Sequence, residues 1–321
     1  MTTYKEIFGK YVKNYSSDPT ADIEGQIWYN TTSGTFKSEV LVAAAWATGG
    51  NLNTGRIRLG GAGTQTAGLG FGGDSPPATG LTATEEYDGA AWTAGGSMSQ
   101  QRGNLGSAGT QTAGLGFGGY RQPGSTFGGT EEYDGSTWSP GGSLGTARYS
   151  LSGAGIQTAG LAFGGSAGTG VIANTEEYDG SAWTAGGTMG TARYRLAGFG
   201  TQTAGLAAGG GTTPASTATE SYNGTSWTTV NSLNTARRAL SGAGVQTLGI
   251  VMGGEASPNT VTELWNGTSW TSSPTGLGTG RSNFAACGIQ SAALAFGAGP
   301  AGNSTEEWSN ATLTTKTITT S

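Results

Sequence analysis

The segment Gly153-Ala-Gly-Ile-Gln-Thr-Ala-Gly-Leu-Ala-Phe-Gly-Gly165 decides how this chain is read, because it recurs. Gln65, Gln111, Gln157, Gln202, Gln246 and Gln290 hold the same place in six copies spaced 44 to 46 residues apart. Each copy closes on a small-residue doublet: Gly72-Gly73, Gly118-Gly119, Gly164-Gly165, Gly209-Gly210, Gly253-Gly254 and the altered Gly297-Ala298. Self-similarity at this period marks a repeat architecture, in which neighbouring units stack into one body.

Working outward from the Gln, other columns keep the same register. Trp46, Trp92, Trp138, Trp183, Trp227 and Trp270 form one. Arg56, Arg102, Arg148, Arg193, Arg237 and Arg281 follow ten or eleven residues later. Beyond the doublet and a variable loop stand Glu85, Glu131, Glu176, Glu220, Glu263 and Glu306, then Tyr87, Tyr133, Tyr178, Tyr222, Trp265 and Trp308. A turn pair follows the aromatic, Asp88-Gly89 in the first unit and Asn223-Gly224 in the fourth. Asp-Gly or Asn-Gly between strand-like runs is the strongest short-range hairpin signal. Each unit therefore reads as four short strands, the arithmetic of a propeller blade. Gly and Ala fill the first two strands, where blades would crowd an axis, and Tyr and Trp fill the outer two, where blades splay.

Composition narrows the function. The 62 glycines of 321 residues suggest disorder until the period is seen, and the regularly placed aromatics argue for a packed core. Charged residues make up 11% with a net charge of −5, which speaks against nucleic-acid binding. The absence of histidine excludes His-dependent metal sites and Ser-His-Asp triads, and the single Cys287 excludes an intrachain disulfide. No cofactor or metal is expected. No run of about 18 apolar residues suggests a membrane span, and the N-terminus lacks a signal-peptide core, so synthesis in a cytoplasm is expected. Gly68-Leu-Gly-Phe-Gly-Gly73 satisfies G-x-G-x-x-G, but a loop and strand follow it where a dinucleotide site needs a helix.

The N-terminal region is different. Tyr4, Ile7, Phe8, Tyr11 and Val12 share a side at helical spacing over residues 3–14, predicting a short helix. Residues 16–22 read as a linker, and Gly25 to Lys37 as a β-hairpin carrying Trp28. The expected organisation is an attachment segment over 1–37, with Tyr4, Ile7, Phe8, Tyr11 and Trp28 as its contact residues, and a repeat domain over 38–321.

The order of a Gly-Gly doublet, Glu-x-Tyr-Asp, a Trp and an Arg resembles the Kelch repeat, six times over residues 38 to 321. The resemblance implies an all-β, six-bladed propeller of four-stranded blades. The Trp46 strand is expected to complete the blade built from residues 275 to 310, with residues 311–320 as the competing strand. Kelch proteins mostly bind partners or glycans. The oxidases among them hold copper with His and a Tyr–Cys crosslink, so a chain without His is expected not to be an enzyme, and Cys287 reads as a small buried hydrophobe.

The columns read first as structure: Trp as core packing, Gln as an amide tying strand ends, Arg as partner of the strand Glu. Ligand residues need not repeat. The irregular Arg58, Arg195 and Arg238, and Tyr120, Arg121 and Phe127 of the one aromatic and basic loop, with Tyr149 and Tyr194, are therefore the candidate binding residues.

The N-terminal Thr-Tyr-Lys-Glu-Ile-Phe-Gly-Lys, its polar linker and the Gly-Gln-Ile-Trp-Tyr hairpin resemble the start of tailed-phage virion proteins, cyanophage-like in character. That implies a virion component of tail, fibre or capsid-surface type. Residues 1–37 would bind other virion proteins or copies of the same chain in a homo-oligomer. The propeller would meet host surface glycans, a protein receptor or another virion protein. The alternative is an intracellular Kelch adaptor that takes an acidic peptide on the Arg-bearing face; a glycan-acting enzyme is the third reading.

Overall fold

In the third repeat, strands Ser152–Ile156, Ala159–Phe163, Thr175–Tyr178 and Trp183–Ala185 pair antiparallel in that order. The last turn forms because Asp179 Oδ1 accepts the backbone N–H of Ser181 and of Ala182 at 2.8 Å each, while Gly180 takes φ +91°. An Asx turn of this kind closes the hairpin locally. The structure, a computed structural model, describes residues 12–19, 24–75, 79–121, 124–211 and 214–318.

The chain divides into two units, Met1–Ala45 with Ser309–Ser321, and Trp46–Trp308. No helix occurs among the described residues. The repeat unit holds six four-stranded sheets, an architecture compatible with a β-propeller. Their first strands are Gly60–Thr64, Gly106–Gly109, Ser152–Ile156, Ala197–Thr201, Ser241–Val245 and Ala285–Ile289. Each packs on the first strand of the next sheet, and the sixth packs on the first.

The sixth sheet takes its outer strand from the other end of the chain. Its order runs Ala285–Ile289, Ala292–Phe296, Thr305–Ser309, Ala45–Thr48. The Trp46 indole donates to Thr262 Oγ1 of the fifth sheet at 3.0 Å. Trp92 makes the same bond to Thr305, Trp138 to Thr84, Trp183 to Thr130, Trp227 to Thr175 and Trp270 to Thr219. Residues 312–317 therefore do not close this sheet.

Apolar side chains fill the space between sheets. Leu115 and Phe117 of the second sheet cluster with Ala162 and Tyr178 of the third, and the Phe117 and Trp183 rings stand 4.9 Å apart. Close approach explains the small residues of the inner strands: a Cβ on Gly160 would lie 2.7 Å from Leu115 Cδ2. The doublet has a second reason. Gly164 sits at φ +63°, and a side chain there would run into the Arg193 carbonyl.

Each Gln ties one sheet to the one before it. Gln157 Nε2 donates to Gly114 O at 3.1 Å and to Tyr133 O at 2.7 Å. Gln65, Gln111, Gln202, Gln246 and Gln290 repeat the pair of bonds, Gln65 to Ala293 O and Trp308 O.

The other unit is one sheet in the order Lys13–Tyr15, Ile27–Asn30, Thr35–Val42, Thr312–Thr317. The helix expected over 3–14 lies mostly outside the described residues, as do Tyr4, Ile7, Phe8 and Tyr11. Where that segment is described, Lys13–Tyr15 is strand, held parallel to Trp28–Asn30. The expected hairpin is present, pairing Ile27–Asn30 with Thr35–Val42 at Trp28↔Lys37 and Tyr29↔Phe36. The presumed linker is anchored at Asp18, which accepts from Trp28 Nε1 at 3.2 Å, Asn30 Nδ2 at 2.8 Å and Lys37 Nζ at 2.7 Å. These three donors hold the Asp18 carboxyl below its ordinary pKa, the Lys37 bond most of all. The boundary placed after residue 37 falls inside the strand Thr35–Val42. Residues 312–317 join the N-terminal unit because they pair with that strand from Lys37↔Thr317 to Val42↔Thr312.

Candidate binding face

The lead-in to each first strand and the loop after each second strand lie at one end of the sheets. Bridges join them at Ile57↔Asp74, Gly103↔Tyr120, Tyr149↔Ser166, Tyr194↔Gly211 and Arg238↔Glu255. This end is built from the column arginines outward. Arg102, fully buried, meets Glu131 of its own sheet at 2.8 Å. Arg148 meets Glu176 at 3.1 Å, Arg193 meets Glu220 at 2.9 Å and Arg237 meets Glu263 at 3.0 Å. Arg56–Glu85 and Arg281–Glu306 repeat the pair. Arg102 also donates to Gly129 O at 2.6 Å and Arg193 to Ala218 O at 2.6 Å, fastening the loop to the sheet. Burial lowers the pKa of these arginines against the opposing effect of their glutamates, with Arg102 brought to about 10. They remain cationic at neutral pH and are closed to solvent.

Two residues beyond each column Arg the backbone turns left-handed. Arg58, Asn104, Ser150, Arg195, Ala239 and Asn283 have φ between +52° and +58°. The N–H of each donates to the carbonyl of its counterpart in the preceding sheet, at 2.7 to 2.9 Å. Since Arg58 N donates to Asn283 O, the six bonds form a closed circuit. Inside it lies a cavity of about 140 Å³, lined by these six residues and by the strand starts that include Ser107, Ser152 and Ser241.

The irregular candidates sit at this end of the sheets, with Arg58 and Arg195 lining the mouth itself. Arg58 and Arg195 occupy opposite positions in the circuit, three sheets apart. Arg58 pairs with the buried Asp74 at 3.3 Å. Arg195 and Arg238 share Glu255 at 3.0 and 2.7 Å, and the Glu255 bond raises the Arg238 pKa above its ordinary value. Arg195 also lies 5.4 Å from the centre of the Tyr194 ring. The Tyr120 and Tyr149 rings meet edge-on at 5.3 Å, and Arg121 stacks 3.7 Å from the Phe127 ring centre. The structure thus forms three groups: Arg58 with Asp74; Tyr120 with Tyr149, beside Arg121 with Phe127; and Tyr194, Arg195 and Arg238 around Glu255.

Sequence reasoning missed the carboxylates Asp74 and Glu255 and the four remaining members of the circuit. The carboxylates lie in loops that vary in length. The circuit's column reads Arg, Asn, Ser, Arg, Ala, Asn, so only its constant distance from the column Arg could have exposed it.

Cys287 is buried, and burial pushes its thiol up to about 12, so it is not a nucleophile at neutral pH. Among the described residues no group of three His, Cys, Asp or Glu side chains could hold a metal ion, and no helix is long and apolar enough to cross a membrane. A scan of the sequence against protein-family models finds no match, and a search of curated proteins finds none either.

Proposed function

We propose that the six sheets are the blades of a closed, Kelch-type six-bladed β-propeller and that the chain is a structural protein of a tailed-phage virion, of tail, fibre or capsid-surface type. The propeller reading rests on the closed circuit of backbone hydrogen bonds, which joins the sixth sheet to the first. The role is one of display and binding. A rigid ring presents at one end the lead-ins to the first strands and the loops that differ most between repeats, and these together carry arginines and aromatics outside the repeated columns. The virion assignment is supported by the N-terminal sequence, from Thr3 to Lys37, with its compact hairpin pinned by Asp18. In this reading the N-terminal segment attaches the protein to the particle, and the loop face meets a host surface glycan or another virion protein.

The test is particle incorporation. A chain lacking residues 1–37 is expected to be missing from purified virions that incorporate the full chain, while the repeat unit keeps its β-sheet circular dichroism. Normal incorporation of the shortened chain overturns the attachment role.

A further inference from the structure

The repeat unit contains ten arginines, no lysine and fifteen carboxylates, so anions predominate over the unit as a whole. Its cations are nonetheless segregated. Six of the ten arginines are the buried column. The other four, Arg58, Arg121, Arg195 and Arg238, all lie at the loop end, where the adjoining carboxylates paired with them are Asp74 and Glu255. The loop end, where the cavity opens, is thus the cationic pole of an acidic unit.

The chemistry of the mouth matches that pole. Two of its six rim residues are arginines at opposite positions in the circuit, and two more are asparagines. The side chains of Arg58 and Arg195 are 31% and 25% exposed, within reach of solvent. Each gives one nitrogen to an ion pair, while its Nε, shielded from solvent, has no acceptor. The rim's backbone N–H groups and carbonyls are consumed by the circuit, so recognition falls to side chains. A volume of about 140 Å³ has room for a planar or tetrahedral oxyanion head. The half-buried Tyr194 directly precedes the rim residue Arg195, whose guanidinium lies 5.4 Å from the centre of its ring.

We infer that the mouth is an oxyanion site for an acidic sugar, with the carboxylate or sulfate held between Arg58 and Arg195 and the pyranose ring against Tyr194. Guanidinium donors match such oxyanions, and aromatic faces match the apolar side of a sugar ring. This deepens the glycan-binding part of the proposed function and is independent of how the protein is attached.

Calorimetric titration of the full chain with sodium glucuronate, sodium sulfate and glucose tests it. Glucuronate and sulfate are expected to bind and to compete, and glucose to bind at least tenfold more weakly. Arg58→Gln and Arg195→Gln should each weaken glucuronate binding about tenfold, as expected for loss of a charge-assisted contact. Arg121→Gln, away from the rim, should change it less than about twofold. Binding of glucose as tight as glucuronate, no binding of either anion, or unchanged glucuronate binding in the Arg58→Gln/Arg195→Gln double variant overturns the site. None of these outcomes bears on particle incorporation, so the two readings fail separately.

Discussion

The Tyr178 phenol donates to Glu132 on the preceding sheet at 2.5 Å, and wherever this tyrosine is replaced its partner is replaced too. Tyr222 meets Glu177, Tyr133 meets Glu86 and Tyr87 meets Glu307 in the same way. In the fifth sheet the tyrosine position is Trp265, and the fourth sheet offers Ser221 in place of the glutamate. In the sixth it is Trp308, and the fifth sheet offers Leu264. Four of the six junctions carry a polar lock, and the other two do without both halves.

These locks predict an alkaline limit to stability. Desolvation, and then the facing carboxylate, raise Tyr87, Tyr133, Tyr178 and Tyr222 from 10.0 to about 12. A phenol is neutral when protonated, so the folded protein holds these protons more firmly than the unfolded chain. Their contribution is fully present below pH 10 and is lost as pH rises from 10 to 12. Tyr178→Phe should cost about 1 to 3 kcal/mol at neutral pH and flatten part of this decline. Urea midpoints measured across the alkaline range, with phenolate absorbance, check both.

The two unlocked junctions invite a reconstruction. Ser221→Glu alone places an unpaired carboxylate between sheets, and Trp265→Tyr alone places a phenol without an acceptor. Together they should show a favourable coupling of about 1 to 2 kcal/mol in a double-mutant cycle. Additive effects would mean that the lock depends on more than its two members.

The buried Arg–Glu pairs should behave asymmetrically. Arg193→Met leaves Glu220 buried without its cation and is expected to cost about 3 to 5 kcal/mol. Adding Glu220→Met should recover most of that loss, because two apolar groups remove the charge that had been stranded. Urea unfolding of the two variants compares them directly.

Trp46 is expected to matter as much as a tryptophan in mid-repeat. Trp46→Ala and Trp183→Ala should each cost about 3 to 5 kcal/mol, since both indoles pack between sheets and donate to a threonine. A much smaller loss for Trp46→Ala would show that the sixth sheet does not need its outer strand.

Repetition made most of the scaffold legible. Six glutamines, arginines and tryptophans in register could hardly be ligands, and each column returns the same bonds sheet after sheet. Strand alternation puts the neighbours Glu85 and Glu86 on opposite faces, and they turn to different partners: Glu85 to Arg56 within its sheet, and Glu86 to Tyr133 of the next. The direction of that second bond was not readable, because it joins residues 47 apart through a packing the sequence does not print. The N-terminal unit was harder still. It has no repeat to average over, and its strand Thr312–Thr317 comes from the far end of the chain. The binding-face candidates were found through irregularity alone, which locates residues without revealing the acids that hold them.

The left-handed circuit at the mouth is closed by main-chain hydrogen bonds, to which the side chains add only local contacts such as Ser150 Oγ to Asn104 Oδ1 at 3.2 Å. Those side chains are restricted by backbone conformation: φ near +55° is hostile to branching at Cβ, and none of Arg58, Asn104, Ser150, Arg195, Ala239 or Asn283 is branched there. The mouth therefore works as a six-letter register written in a limited alphabet. New specificities can be composed in it without loosening the ring, so long as valine, isoleucine and threonine are left out.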